Sequence, residues 1–207
     1  MKVTAIKPDK KHLTKLLLDE DSEIFIDNDV FCESGITIGS HITEEELKKL
    51  KYESDLRRAK SRALWYLDRM DYTEKALYEK LIKAGFGKRA SAAVIARFCE
   101  LGVIDDRRYA ERLAERLKET NVSKREAMHK MLLKGLSYDL IKEILDSDET
   151  DEEEKIKNLL EGKYARKLTE EKGAEKVYAA LVRKGFSYGA VRTAMKNYTE
   201  QLEFCED

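Results

Sequence analysis

Asp105 and Asp106 stand directly before Arg107 and Arg108 in "ELGVIDDRRYAERLAERL", residues 100–117. Paired carboxylates can hold a divalent cation or pass a proton, and paired guanidinium groups can fork onto a phosphate or carboxylate. Catalysis needs partners that this sequence does not supply at recognisable spacing. His12, His41 and His129 are scattered, and Cys32, Cys99 and Cys205 form no CxxC or Cys/His pair. There is no glycine loop shaped for phosphates and no nucleophile–base pair. The expectation is a protein that is not an enzyme, with no cofactor, no metal and reduced cysteines.

The two aspartates have a structural task that needs no substrate. Gly102 ends one helix, and Asp105 then fits an N-cap whose oxygen accepts backbone N–H groups two or three residues on. Asp106 falls in the first turn, where the helix dipole favours negative charge. Ile104 can staple onto Tyr109, and Tyr109, Leu113 and Leu117 run along one apolar face with Ala110 and Ala114 beside them. The arginines admit two readings. Arg108, Arg112 and Arg116 form a stripe with Glu111, Glu115 and Glu119 three residues on, which makes either a self-neutralised ladder or a surface that meets anions. Arg107 lies outside that ladder, as do Lys118, Lys124, Arg125, Lys130 and Lys134.

A second basic stretch, "DLRRAKSRALWYLDRM" (55–70), carries Arg57, Arg58, Lys60, Arg62 and Arg69. Its apolar face is expected to be Ala59, Ala63, Leu64, Leu67 and Met70; Trp65 and Tyr66 read as core, with an exposed stacking surface as the alternative. Lys83, Lys134, Arg183 and Lys184 precede glycines, where a cation complements the end of a helix.

These stretches sit in a repeating frame. "LYEKLIKAGF", "AMHKMLLKGL" and "VYAALVRKGF" align on Gly85, Gly135 and Gly185, which are 50 residues apart. Leu81, Met131 and Leu181 coincide, and an apolar residue follows each glycine: Phe86, Leu136 and Phe186. Each unit reads as a helix ended by a glycine at positive φ, then a second helix, for example from about Lys88 to Leu101. A pair cannot bury both faces, so each unit needs a third helix, expected at 54–70, 106–119 and 152–169.

The first forty residues differ. "KVTAI", "HLTKLLLD", "EIFIDNDVFCES" and "ITIG" predict two or three short strands. Thr43 and Glu46 then open a helix as a capping box. The fold class is therefore mainly α, with three tandem three-helix repeats in an elongated array after a small N-terminal β-rich segment. The expected boundaries are 1–45, 46–104, 105–149 and 150–207.

Of the 207 residues, 39% are charged, and the net charge of −1 hides segregation. The nets are −4 over 1–50, +8 over 51–134, −7 over 135–161 and +2 over 162–207. The acidic run "DSDETDEEEK" (146–155) reads as a solvated linker. No run is long and apolar enough for a membrane span and no signal peptide is visible, so the expected location is cytoplasmic.

The stretch "ALWYLDRMDYTEKALYEKLIKAGF", then "ELGVIDDRRYAERLAERL", then the two further glycine-ended repeats resemble the RecX family of bacterial recombinase regulators over about residues 55–200. Val103 stands where the family commonly has an aromatic residue, and "ETNVSKRE" lacks a glycine that the family often carries there. The resemblance implies a monomeric negative regulator of homologous recombination, DNA repair and the SOS response. Such a protein binds the groove of a RecA–single-stranded DNA filament and modulates ATPase and strand-exchange activity. The residues expected to contact RecA or DNA, on one concave side, are Arg57, Arg58, Arg62, Arg107, Arg108, Arg112, Lys124 and Arg125. The alternative is a free-standing protein of helix-turn-helix-like repeats that binds single- or double-stranded DNA.

Overall fold

The computed structural model describes residues 1–9, 12–19, 22–147 and 151–204, and the side chains of that set up to residue 200. The chain forms two compact units, 1–105 and 106–207. It is mainly α-helical with one small sheet.

In the first unit, strands β1 (Val3–Asp9), β2 (Leu13–Leu18) and β3 (Glu23–Asp27) make an antiparallel sheet in the order β1-β2-β3. Leu16 and Ile26 are fully buried and pack with Val30 and Leu50, which seats the sheet on the helices that follow. The stretch expected as one strand from Glu23 to Ser34 breaks at Asp27. Its carboxylate accepts the N–H of Asp29 and so starts helix α1 (Asn28–Ser34), which ends on Gly35 at φ 65°. "ITIG" makes no strand either. Gly39 at φ 92° and a bond from the Ser40 N–H to the Thr37 carbonyl turn it; the segment returns to the chain start through a bridge of His41 with Lys2 and bonds of Gly39 and Ser40 with Val3.

Helix α2 (Glu44–Leu67) opens with the expected capping box. The Thr43 hydroxyl accepts from the Glu46 N–H, and the Glu46 carboxylate accepts from the Thr43 N–H. Helices α3 (Glu74–Lys83) and α4 (Lys88–Glu100) complete a core of Ala59, Ala63, Leu77, Leu81, Val94, Ile95, Phe98 and Ile104. Leu64, Trp65 and Met70, expected in that core, are instead 46%, 46% and 53% exposed. Ala59, Ala63, Tyr66 and Leu67 already fill the inward arc of α2, and Trp65 points the opposite way at 100° per residue.

The second unit starts with α5 (Asp106–Glu119), α6 (Lys124–Leu133) and α7 (Tyr138–Asp146), around Ala110, Leu113, Leu117, Met131, Leu136 and Ile141. Then come α8 (Glu152–Glu161), the single turn α9 (Ala165–Leu168), α10 (Gly173–Arg183) and α11 (Tyr188–Phe204), around Ile156, Leu160, Tyr164, Val177, Leu181, Phe186 and Val191. The helix expected over 152–169 is therefore broken. Gly162 leaves helical geometry at φ −94°, ψ −86°, and the chain bends so that the Tyr164 ring enters the core.

The repeated glycines share one geometry: φ is 91° at Gly85, 88° at Gly135 and 92° at Gly185. At Gly85 the N–H reaches the Ile82 carbonyl and the next N–H, of Phe86, reaches Leu81, and Gly185 and Phe186 repeat this onto Val182 and Leu181. The third glycine has a further reason. A β-carbon there would lie 2.9 Å from the Arg125 Cβ and 3.0 Å from the Ser123 hydroxyl, whereas one at Gly85 would meet nothing within 4 Å. Gly85→Ala is expected to cost about 1–2 kcal/mol from the backbone alone. Gly185→Ala should cost distinctly more, and urea unfolding of the two variants reads the difference.

Candidate interaction surface

The eight cations expected from sequence fall into two sets, one in each unit. On α2, Arg57 is held by three carboxylates: Asp29, Asp27 at 3.5 Å and Glu33 at 3.7 Å. It fastens α1 and the end of β3 to α2, beside the bond by which the buried Ser54 hydroxyl accepts the Asp27 N–H at 2.8 Å. Arg58 lies 4.0 Å from Asp55, and its guanidinium stands 5.6 Å from the Phe86 ring centre. Arg62 faces Trp65 at 5.4 Å. It makes no ion pair among the described residues.

In the second unit, Arg107 forks onto Glu143 with both bonds from one nitrogen, at 3.0 and 2.9 Å, and so ties α5 to α7. Lys124 reaches Asp146 at 2.5 Å and ties α6 to α7. Arg108, Arg112 and Arg125 are exposed. Glu111, Glu115 and Glu119 take no ion pair among the described residues, so the ladder along α5 does not form. Arg112 and Arg116 instead direct their Nε to the carbonyls of Arg108 and Arg112, at 3.4 and 3.3 Å. Asp105 lies just before α5 and Asp106 is its first residue. Ile104 is buried in the core of the first unit, and Tyr109 packs against that of the second.

Within the second unit the alkyl stem of Arg125 lies against Gly185, where the third repeat meets the second. The buried Ser123 hydroxyl caps α6 by accepting from the Glu126 N–H at 3.1 Å and donates to the Lys184 carbonyl at 2.5 Å. The Lys184 ammonium sits 3.3 Å from Glu126, which also pairs with Lys130 at 2.7 Å. Partial burial pushes the Glu126 carboxyl up, but the two lysines outweigh it and leave the group below the usual range.

Three further features escaped the reading of the sequence. Arg69 stacks on Trp65 at 3.5 Å from the ring centre and donates to the Trp65 carbonyl at 2.9 Å. Lys80 lies between the Tyr66 and Tyr72 rings and donates to the Tyr72 hydroxyl at 2.6 Å. In the third repeat, an open groove on α10 gathers Lys167, Lys176 and Arg183 beside Tyr178 and the exposed Tyr188. The spacing of Trp65 and Arg69, at i and i+4, was the available signal for the first. Cys32 is an exposed thiol, and Cys205 lies outside the described residues, as do residues 148–150 of the acidic run. Among the described residues, no group of three or more His, Cys, Asp or Glu side chains could hold a metal ion. No helix there is long and apolar enough to cross a membrane.

The chain is a mainly α protein built on a repeated three-helix, glycine-turned module, with cations distributed over its helices. A family model for the RecX first three-helix domain matches residues 59–98. The "Regulatory protein RecX" of Clostridium tetani (strain Massachusetts / E88) is 28% identical over 207 residues, covering 99% of this chain and 94% of that protein. That of Streptococcus sanguinis (strain SK36) is 29% identical over 209 residues, covering 100% and 79%. A crystal structure of regulatory protein RecX superposes with a TM-score of 0.66 at 20% identity, over 94% of this chain and 98% of the other. RecX from Lactobacillus salivarius gives 0.61 at 24%, over 69% and 96%. The chain thus shares the fold of these structures and is similar, over nearly its whole length, to proteins named regulatory protein RecX.

The two ion pairs onto α7 have a pH signature. The Arg107 hydrogen bond and charge hold the Glu143 carboxyl below its usual range, and Lys124 does the same for Asp146. A carboxyl lowered in the folded state stabilises that state above its unfolded pKa and loses the effect as pH falls through the lower folded value. The melting-temperature deficit of Glu143→Gln against the unsubstituted chain should therefore be constant near neutrality. It should shrink as pH drops below about 4.3, the ordinary glutamate value. Because the pair is exposed, added salt should shrink the deficit at neutral pH too.

Proposed function

We propose that this chain is a negative regulator of homologous recombination that binds the RecA–single-stranded DNA filament in its groove and lowers its ATPase and strand-exchange activity. The observation that carries this reading is the similarity, across nearly the whole chain, to proteins named regulatory protein RecX. The recurring module supports it physically. A partner assembled from identical subunits can be met by one contact per repeat, and modest contacts then add through effective concentration.

The contact residues of this reading are Arg57, Arg58, Arg62, Arg107, Arg108, Arg112, Lys124 and Arg125. They divide by present occupation. Arg57, Arg107 and Lys124 would have to leave carboxylates of their own fold, so their exchange onto a partner gains little. Arg62 and Arg125 make no ion pair among the described residues, and Arg108 and Arg112 are exposed on α5. The same regions contribute to the +8 net charge of residues 51–134, which favours anionic surfaces by long-range attraction.

The test compares retention on ATP-bound RecA filament with retention on bare single-stranded DNA. The expected result is filament retention well above that on DNA, and a slowed filament ATPase. Arg62→Glu, Arg108→Glu, Arg112→Glu and Arg125→Glu combined should keep the helical circular dichroism and weaken filament retention by an order of magnitude or more. Equal retention on naked DNA, with a steep negative salt slope, would instead favour a free-standing DNA-binding protein.

A further inference from the structure

Trp65, the chain's single tryptophan, stands on the solvent side of α2 with one arginine a turn before it and another a turn after. At 100° per residue, Arg58, Arg62 and Trp65 fall along one stripe at i, i+4 and i+7, and Arg69 follows in the turn just past the end of α2. The Arg69 guanidinium stacks on the indole at 3.5 Å, and the Arg62 guanidinium faces it at 5.4 Å. The planar groups are thereby held in place, with less side-chain freedom left to lose on binding.

Arg58 lies 4.0 Å from Asp55, but the charge at the Trp65 end of this stripe is not spent within the fold. Arg57, one residue from the stripe, is surrounded by three carboxylates. Arg62 and Arg69 make no ion pair among the described residues, although the exposed Asp68 lies on their flank. An indole bracketed by guanidinium groups is a poor platform for a nucleobase, because Arg69 would have to vacate the ring face. It is a good anchor for carboxylates, which take the free N–H edges of the guanidinium groups and leave the stack intact. Trp and Arg are also the residues that most often carry protein–protein affinity.

We propose that this stripe of α2 docks an acidic segment of a partner protein, whose carboxylates bind Arg62 and Arg69 while an apolar side chain packs on the Trp65 edge. The inference shares Arg62 with the filament reading but does not rest on it, and its test contains no filament. Trp65 emission is the reporter, since no other tryptophan contributes. The whole chain is titrated with a synthetic peptide carrying Glu and Leu at helical spacing, with the same peptide bearing Lys for Glu, and with a thymidine oligonucleotide. The expected result is a saturable emission change with the Glu peptide only. Its affinity should fall by about tenfold or more in R62E/R69E and hold in R97E, which carries a charge reversal at an exposed site on α4. A response to the oligonucleotide rather than the Glu peptide would overturn the proposal. So would equal affinity in R62E/R69E and R97E, or no response to any of the three.

Discussion

A residue at φ near +90° pays a steric penalty for any β-carbon, and at Gly85, Gly135 and Gly185 the chain takes that conformation each time. The turn it makes lets the next apolar residue fold back on the helix just finished. Leu136 and Phe186 are buried in this way, under Met131 and Leu181, which are themselves fully enclosed. Everything downstream of each glycine depends on that reversal, because the second helix of each repeat can reach the first only from this angle. Had any of the three been an ordinary residue, the helix could have run on and left its apolar stripe facing water.

With the backbone so fixed, the distribution of cations becomes an account of what the fold itself consumes. Arg57, Arg107 and Lys124 each join two elements through carboxylates, and Lys184 joins two repeats. Such pairs contribute modestly at an exposed surface, but each links two elements that lie far apart in sequence. Arg62 and Arg69 are engaged by an aromatic ring instead, which leaves their charge unneutralised. The dense arginine stretch that opens α5 falls between these extremes: its first member forks onto α7, and those after it stay at the surface.

The architecture was legible in the sequence because it repeats. A glycine with apolar neighbours in register, three times over, is a pattern in which each copy supports the others, and the capping box at Thr43 was equally visible from two residue types. What escaped was decided by local competition. Asp27 captured a backbone N–H and turned an expected strand into α1, and Gly162 let Tyr164 reach the core at the expense of a continuous helix. Trp65 was expected inside because a large apolar residue usually is, yet alanines and Tyr66 had filled the arc. The basic residues could be found in the sequence, but their occupation could not. Glu143 is 36 residues from Arg107, and Asp146 is 22 from Lys124, so neither pairing has a signature in local spacing.

The double duty of Ser123 bears on how such a protein could lengthen or shorten over evolutionary time. Its enclosed hydroxyl starts one helix and at the same moment satisfies a carbonyl sixty-one positions downstream. Deleting the last bundle would strip the cover from that oxygen and from the neighbouring Glu126, and would expose the floor on which Gly185 rests. Although the modules look interchangeable, the second and third are therefore keyed to each other. Gain or loss of a copy at that joint requires matched changes on both sides.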